Sequence, residues 1–222
     1  MRDAFTVAER FFTRTGDLWL AASAIALAIY FFSGYFTTLR FDRERIEIRV
    51  ASGRIQVQGL YHYTNTSRLP AVLTLRVPFP VDNEHPQPET YSLYEASADG
   101  RALAEIPLIV RGDDIRFRLL FRPGEGKWVR LDYIQPTHVR NGRYLLTTTR
   151  PWRRPIGLAA YVLHLPQDFE LTSSNYPLGD SHVAGHEKVY RFSRKDFFPV
   201  EDWEFAWSEP AVRAARLNGV RP

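Results

Sequence analysis

The chain has 222 residues, 45% of them hydrophobic and 24% charged, which are the proportions of a folded protein rather than of a disordered one. Its net charge of +4 is too small and too widely spread for the basic footprint of a nucleic-acid-binding protein. The absence of cysteine excludes disulfides, thiol nucleophiles and cysteine-ligated zinc or iron–sulfur centres.

The first distinctive element is an uncharged run of 19 residues at positions 18–36. As a helix it would be about 29 Å long, close to the hydrocarbon thickness of a bilayer. Aromatic side chains flank the run as in interfacial belts, and small residues within it allow another helix to approach closely. The sequence therefore predicts a transmembrane anchor. Its interface positions are Trp19, Ser23, Tyr30, Ser33, Gly34 and Tyr35.

Two other interpretations of this run are a cleaved export signal and a buried core helix. Bulky residues follow the run where a small-x-small cleavage site would stand, which disfavours the signal. No helical packing partner is predicted downstream, which disfavours the core helix. Residues 1–17 are a short N-terminal segment that forms either an interfacial helix or an extension of the span.

Arginines on both sides of the run leave the positive-inside rule undecided, with a slight preference against a C-terminus outside the cytoplasm. Long domains cross membranes largely regardless of charge. The sequence thus favours a single-pass signal-anchor protein whose main domain lies outside the cytoplasm, in the periplasm.

Beyond the anchor the hydrophobic pattern changes from continuous to alternating. Ile46, Ile48 and Val50 alternate with charged residues, and similar runs recur to Trp207, which is typical of half-buried strands. The pattern predicts an antiparallel β-sandwich of about ten or eleven strands over residues 37–208, followed by a short C-terminal helix or tail at 209–222. Turn signals punctuate it at residues 51–54, 98–101, 111–114, 122–127 and 140–143.

The turn signal at 140–143 is the strongest of these, because Asn141 and Gly142 both adopt positive φ readily, and it predicts a two-residue hairpin. The segment 77–89 contains four prolines and predicts a loop at the rim of the sandwich. The aromatic segment 197–207 is interpreted as a core strand, with an exposed docking surface as the alternative.

Candidate binding residues cluster at 150–154. Arg and Trp together are typical of interface hot spots, so Arg150, Trp152, Arg153 and Arg154 are candidates for a docking surface. The alternative is a loop in which Trp152 packs against the sandwich.

The search for chemistry gives weak signals only. His182 and His186, with Asp180 and Glu187 nearby, are weak metal candidates on what is predicted to be a solvated hairpin loop. The acidic pairs at 113–114 and 201–202 are adjacent residues, whose side chains point to opposite faces of a strand rather than across a cleft. We predict no catalytic residue, no bound metal and no cofactor.

The layout of one anchor and one sandwich resembles the single-span accessory subunits of bacterial respiratory or photosynthetic complexes. The sequence predicts a non-catalytic subunit that docks on or stabilises a larger bacterial membrane protein complex, with the bilayer and other membrane subunits as partners. Two alternatives stay open. One is a glycan- or lipid-binding module of the cell envelope, and the other is a metal-dependent enzyme that uses His182 and His186.

Overall fold

The computed structural model describes residues 38–179 and 181–210, which fold as an all-β domain with one 3₁₀ helix, Thr147–Trp152. The predicted all-β class is confirmed. In chain order the strands are β1 (Leu39–Ala51), β2 (Arg54–Asn65), β3 (Ala71–Pro78), β4 (Thr90–Ala96), β5 (Ala102–Glu105), β6 (Leu108–Arg111), β7 (Asp114–Phe121), β8 (Gly126–Pro136), β9 (Asn141–Tyr144), β10 (Ile156–Pro166), β11 (Glu170–Ser174), β12 (His182–Ala184), β13 (Glu187–Phe197) and β14 (Trp203–Ser208).

The predicted anchor at 18–36, its six interface positions, the N-terminal segment and residues 211–222 of the tail lie outside the described residues. Within residues 38–179 and 181–210, no helix has the length and apolar character needed to cross a bilayer.

The strands form three sheets in a sandwich-like arrangement. One has eight strands in the order β12-β13-β10-β1-β2-β8-β4-β5, and the others are β11-β14-β9 and β3-β7-β6. Among the described strands all neighbours pair antiparallel except β1 and β10, which run parallel. The described part of the chain has fourteen strands where the sequence predicts ten or eleven, because the short β5, β6, β9 and β12 contain too few residues to show alternation.

All three sheets contribute to one hydrophobic core. The alternation in β1 buries Ile46, Ile48 and Val50 and leaves the intervening charged residues on the other face of the eight-stranded sheet. Strand β14 adds Trp203, Phe205 and Trp207, all buried, which confirms the core-strand interpretation for this part of the segment, whereas Phe198 and Val200 are exposed. The three β14 residues belong to the same core as Leu75, Phe117, Leu131 and Tyr161 of the other sheets.

Three predicted turns are confirmed. Gly53, Gly100 and Gly112 have φ values of 74°, 90° and 57° and close the β1–β2, β4–β5 and β6–β7 hairpins. Positive φ is accessible to glycine without steric strain, which is why glycine marks these reversals.

The predicted hairpin turn at Asn141 and Gly142 is wrong, because both residues lie inside strand β9 and pair with β14. A Cβ atom on Gly142 would lie 2.8 Å from Cδ1 of Ile55 and would also clash with the ring of Phe205. Glycine is needed here for the close approach of two packed layers rather than for a turn.

The proline-rich segment between β3 and β4 contains no strand, as the sequence predicts. The Gln135 side-chain amide holds it against the domain by donating hydrogen bonds to the carbonyl oxygens of Pro80 and Pro86. His85 in this segment is buried, and its Nδ1 and Nε2 lie 3.0 Å from Asp82 Oδ1 and 3.2 Å from the Asn141 carbonyl oxygen.

Candidate functional site: an aromatic cavity around Glu44

Strand β1 carries a carboxyl group into the interior of the domain. Glu44 is in phase with Ile46, so its side chain points to the core, where it is only 4% exposed. The β1–β2 register shifts between Phe41 and Arg43, and this bulge turns Phe41 to the same side as Glu44. An aromatic ring and a carboxyl group therefore enter the core from neighbouring positions of one strand.

Tyrosine hydroxyls occupy the hydrogen-bonding positions around the Glu44 carboxyl. Tyr161 donates to Oε2 at 3.0 Å, and Tyr144 donates to Oε1 at 3.2 Å. The Tyr61 hydroxyl lies 2.9 Å from that of Tyr144. Because Tyr144 gives its proton to Glu44, Tyr61 must donate to Tyr144, and the three tyrosines form a directed network that ends on the carboxyl.

Gly59 makes room for this network. A Cβ atom at this position would collide with the hydroxyl and ring of Tyr61, which lies two residues further along the same face of β2. Glycine thus serves here to let the Tyr61 ring lie close against the strand.

Burial dominates the electrostatics of Glu44. Desolvation raises the pKa of its carboxyl to about 7, although the hydrogen bonds from Tyr161 and Tyr144 act to lower it. Among the described residues no Lys, Arg or His forms an ion pair with Glu44. Near neutral pH the carboxyl therefore exchanges between its protonated and ionised forms without a cationic partner in the described part of the chain.

Glu44 lines a cavity of about 70 Å³ whose walls include seven aromatic side chains. Ring centroids lie 5.1 Å apart for Phe41 and Tyr63, and 5.7 Å apart for Tyr63 and Trp152. The exposed members of the lining, Arg76 and Thr148, mark the side that faces solvent, whereas Glu44 lies at the buried side. The aromatic wall residues are Phe41, Tyr61, Tyr63, Phe79, Tyr133, Tyr144 and Trp152.

The 3₁₀ helix places Trp152 over this cavity. Its first residue, Thr147, is fixed by Asp202, whose Oδ1 accepts bonds from the Thr147 backbone N–H at 2.9 Å and hydroxyl at 2.8 Å. Near its end the guanidinium of Arg150 donates to the carbonyl oxygens of Pro199 and Val200. The helix is thus attached to the segment before β14 at both ends.

The four predicted docking residues accordingly separate into two groups. Arg150, Arg153 and Arg154 are exposed, whereas Trp152 is half-buried and packs on Phe41 and Tyr63. Trp152 therefore belongs to the cavity wall, and the arginines belong to the surface beside it.

The two histidines proposed as weak metal candidates lie in the β12–β13 hairpin. His182 is in β12, His186 is in the turn that follows, and both are exposed. Glu187 points to His164, whose Nδ1 is 2.8 Å from its Oε2, and Asp180 lies outside the described residues. Over residues 38–179 and 181–210, no group of three or more His, Asp or Glu side chains is arranged to hold a metal ion.

The paired acids have separate structural roles. Asp114 is buried and bridges two arginines, with Arg76 Nε at 2.6 Å and Arg116 Nε at 2.9 Å, and these contacts hold the pKa of its carboxyl below its usual value. Asp113 beside it is exposed. In the second pair, Asp202 is the acceptor that fixes the 3₁₀ helix.

Sequence reasoning missed the cavity and its central residue. The signal was present, because extending the alternation of Ile48 and Ile46 back by two residues places Glu44 on the buried face. A charged residue in phase with an apolar stripe is unusual, and buried carboxyl groups with raised pKa values cluster at functional sites.

Together these features define a class: an all-β, sandwich-like domain with a buried carboxyl group at one side of an aromatic cavity. No family model matches the chain, and no curated protein sequence matches it.

Among solved structures, the chain is similar in fold to a protein from Legionella pneumophila described as nutrient binding. The TM-score is 0.60 at 13% identity, over 77% of this chain and 67% of the other. An M1 zinc metallopeptidase from Deinococcus radiodurans gives a TM-score of 0.47 at 10% identity, over 77% of this chain and 43% of the peptidase. The chain thus spans less than half the length of that peptidase. At 13% identity, the similarity to the Legionella protein shows a shared fold alone.

Proposed function

We propose that this chain is a membrane-tethered, non-catalytic binding domain whose aromatic cavity takes the ammonium group of a small organic cation. The observation that carries the proposal is the Glu44 carboxyl, which is buried among aromatic rings and tyrosine hydroxyls without a cationic side chain beside it in the described part of the chain. An ionised carboxylate in such surroundings is stabilised by a cation, and aromatic faces attract cations as well.

The size of the cavity limits the ligand. A water molecule occupies about 30 Å³ in the liquid, so a cavity of about 70 Å³ accepts an alkylammonium head group while the rest of the ligand extends past Trp152. Propylammonium has four non-hydrogen atoms. At the ceiling of about 1.5 kcal/mol per atom it would bind with a Kd no tighter than roughly 40 μM.

The binding test uses the full chain in phosphatidylcholine nanodiscs and a ligand-observed NMR titration. Propylammonium should bind, while propan-1-ol, which replaces the charged group by a hydroxyl, should bind about tenfold more weakly or not at all. Because the amine stays protonated near neutrality while Glu44 ionises, the Kd for propylammonium should fall about tenfold between about pH 6 and pH 8.

Two glutamine substitutions in strand β1 test whether propylammonium binding depends on the Glu44 carboxylate itself or only on the net charge of the domain. Glu44→Gln removes the carboxylate and should weaken propylammonium binding about tenfold or more. Glu47→Gln removes a carboxylate on the opposite face of the strand and should leave binding unchanged. Equal binding of amine and alcohol, or an unchanged Kd in Glu44→Gln, would exclude an ammonium site.

The tether rests on the uncharged run at 18–36, which is followed within three residues by β1. We expect the protein to stay in the membrane fraction after carbonate extraction. Protease added to intact spheroplasts should degrade the β domain if it lies in the periplasm. Release of the intact chain by carbonate would exclude the tether.

A second candidate function is the accessory subunit predicted from the sequence. Exposed aliphatic side chains on the β3-β7-β6 sheet, Val72, Ile109 and Leu120, favour contact with a larger partner. Purification of the native protein in mild detergent should then yield co-migrating membrane subunits. A chain that migrates alone as a monomer would contradict this function without affecting the cavity.

The two remaining alternatives from the sequence stay predictions. A glycan- or lipid-binding module should bind soluble envelope oligosaccharides or short-chain lipids in the same NMR titration. A metal-dependent enzyme should purify with bound metal that is lost when His182 and His186 are both replaced by alanine.

A further inference from the structure

The most exposed large hydrophobic side chains collect at one end of the β domain. Within residues 38–179 and 181–210 these are Val200, Leu69 and Leu120, with 75%, 72% and 71% of their surface exposed. Single exposed hydrophobic residues are common on protein surfaces, but a collection at one end requires an explanation.

The first cluster lies beside the residue at which the chain enters β1. Leu39 pairs with Asn65, and the Asn65 side-chain amide donates to the carbonyl oxygens of Leu69 at 2.8 Å and Arg122 at 3.0 Å. Val72 and Leu120 are directly opposite each other on β3 and β7. Val72 lies three residues after Leu69 in the chain, and Leu120 lies two residues before Arg122.

The second cluster lies at the same end, because β1 and β10 run parallel and begin together. The first residue of β10, Ile156, pairs with Phe197 at the end of β13. Phe198 and Val200 follow immediately and are exposed, and Arg150 donates to the Val200 carbonyl oxygen.

Exposed arginines accompany both clusters. Arg68 and Arg122 flank the first, and Arg150 and Arg154 accompany the second. Aliphatic and aromatic side chains mixed with arginine are typical of surfaces that lie at a membrane interface, where guanidinium groups bind lipid phosphates.

We propose that this end of the domain rests on an anionic lipid surface, with Leu69, Val72, Leu120, Phe198 and Val200 at headgroup level and the arginines on lipid phosphates. The proposal rests on the tether of the proposed function but not on the ligand cavity. The predicted span ends at residue 36, and the three peptide units to Leu39 extend at most about 11 Å. A connection this short keeps the start of β1, and both clusters beside it, close to the bilayer.

The test uses single-cysteine reporters, which the cysteine-free sequence makes specific. The fluorophore NBD is attached to Leu120→Cys or, as the control, to Val183→Cys. Val183 is also exposed, at 59% against 71% for Leu120, but lies at the opposite end of the sheet, because β12 pairs with the start of β13. The full chain is inserted into nanodiscs of phosphatidylcholine with or without phosphatidylglycerol, and nitroxide-headgroup lipid serves as the quencher.

We expect the lipid nitroxide to quench the reporter at position 120 about threefold more than the reporter at position 183, and more strongly with phosphatidylglycerol present. Arg122→Gln should reduce the dependence on phosphatidylglycerol, whereas Arg54→Gln, the first residue of β2 and so at the opposite end of that strand, should not.

Equal quenching at the two positions in chains that remain in the nanodiscs would overturn the lipid-facing surface and leave the tether intact. If the lipid nitroxide quenches the reporter at position 120 only after a co-purifying protein has been removed, that protein covers this end of the domain, and the surface would be assigned to a protein partner instead. Failure of the chain to enter nanodiscs would exclude the tether and this surface together, whereas propylammonium binding reports on the cavity alone.

Discussion

Glu44 is the residue whose environment departs furthest from what its chemistry favours. A buried carboxylate without a cation is costly, so the domain holds it close to its protonated form. Desolvation raises its pKa to about 7, compared with an ordinary value of 4.5. This shift links the stability of the domain to pH.

The first prediction concerns that linkage. Below about pH 4.5 the carboxyl is protonated in both folded and unfolded states; as the pH rises toward 7 only the unfolded state ionises, and stability is lost. Between about pH 5 and pH 8 the free energy of unfolding of the wild type should fall by about 2–3 kcal/mol relative to Glu44→Gln. Urea unfolding followed by near-UV circular dichroism measures this difference.

The control for this prediction is Glu47→Gln, on the same strand but on the solvent face. Its free energy of unfolding should follow the pH dependence of the wild type. Parallel curves for the wild type and Glu44→Gln would show that burial does not raise the pKa of Glu44.

The second prediction concerns Gly59, where an added methyl group would collide with Tyr61. Gly59→Ala should lower the free energy of unfolding by about 1–3 kcal/mol and weaken propylammonium binding, because Tyr61 must move away from Tyr144. In a Tyr61→Ala background, most of this destabilisation should disappear. An equal effect in both backgrounds would show that the loss has another origin.

At the scale of elements, local signals predicted local structure well. Glycines at 53, 100 and 112 identified three hairpins because positive φ is a property of the residue itself. The same reasoning gave a wrong prediction for Gly142, because glycine is required there by contacts with Phe205 and Ile55, which are distant in sequence. A glycine required by a packing contact cannot be distinguished from a turn glycine by its neighbours in the chain.

The 3₁₀ helix provides the third prediction, since Asp202 fixes its first residue and Trp152 at its end forms part of the cavity wall. Asp202→Ala should lower the free energy of unfolding by about 1 kcal/mol and weaken propylammonium binding, because Trp152 is held less firmly. Calorimetric and NMR titrations measure the two effects. Glu201→Ala, one residue earlier and exposed, is the control, and an equal loss in both variants would contradict this role of Asp202.

At the scale of the whole molecule, the sequence predicted the all-β class but not the sheet order. Period-two alternation reports which face of a strand is buried, and it does so for β1, β2 and β14. Alternation does not show which strands pair with each other. The parallel pairing of β1 with β10 and the separation into three sheets were therefore not predictable from it. The cavity combines residues from several strands and the 3₁₀ helix, and only Glu44 had a local signal.

The fourth prediction follows from the sheet order. Strands β1 and β2 are central in the eight-stranded sheet, whereas β12 and β5 are its edges. Amide hydrogen exchange should be slowest in β1 and β2 and fastest in β12 and β5, because local opening requires the loss of fewer contacts at an edge. Mass spectrometry of exchanged peptides measures the order, and rapid exchange in β1 would contradict the central position of this strand.

The central claim is that the buried carboxyl of Glu44 is a receptor for an organic ammonium group. The most direct measurement is an NMR titration of the Glu44 side-chain carboxyl carbon against pH, with and without saturating propylammonium. The account predicts a pKa of about 7 without ligand and a markedly lower pKa with it, because the bound cation stabilises the carboxylate. A pKa that propylammonium leaves unchanged would contradict the claim.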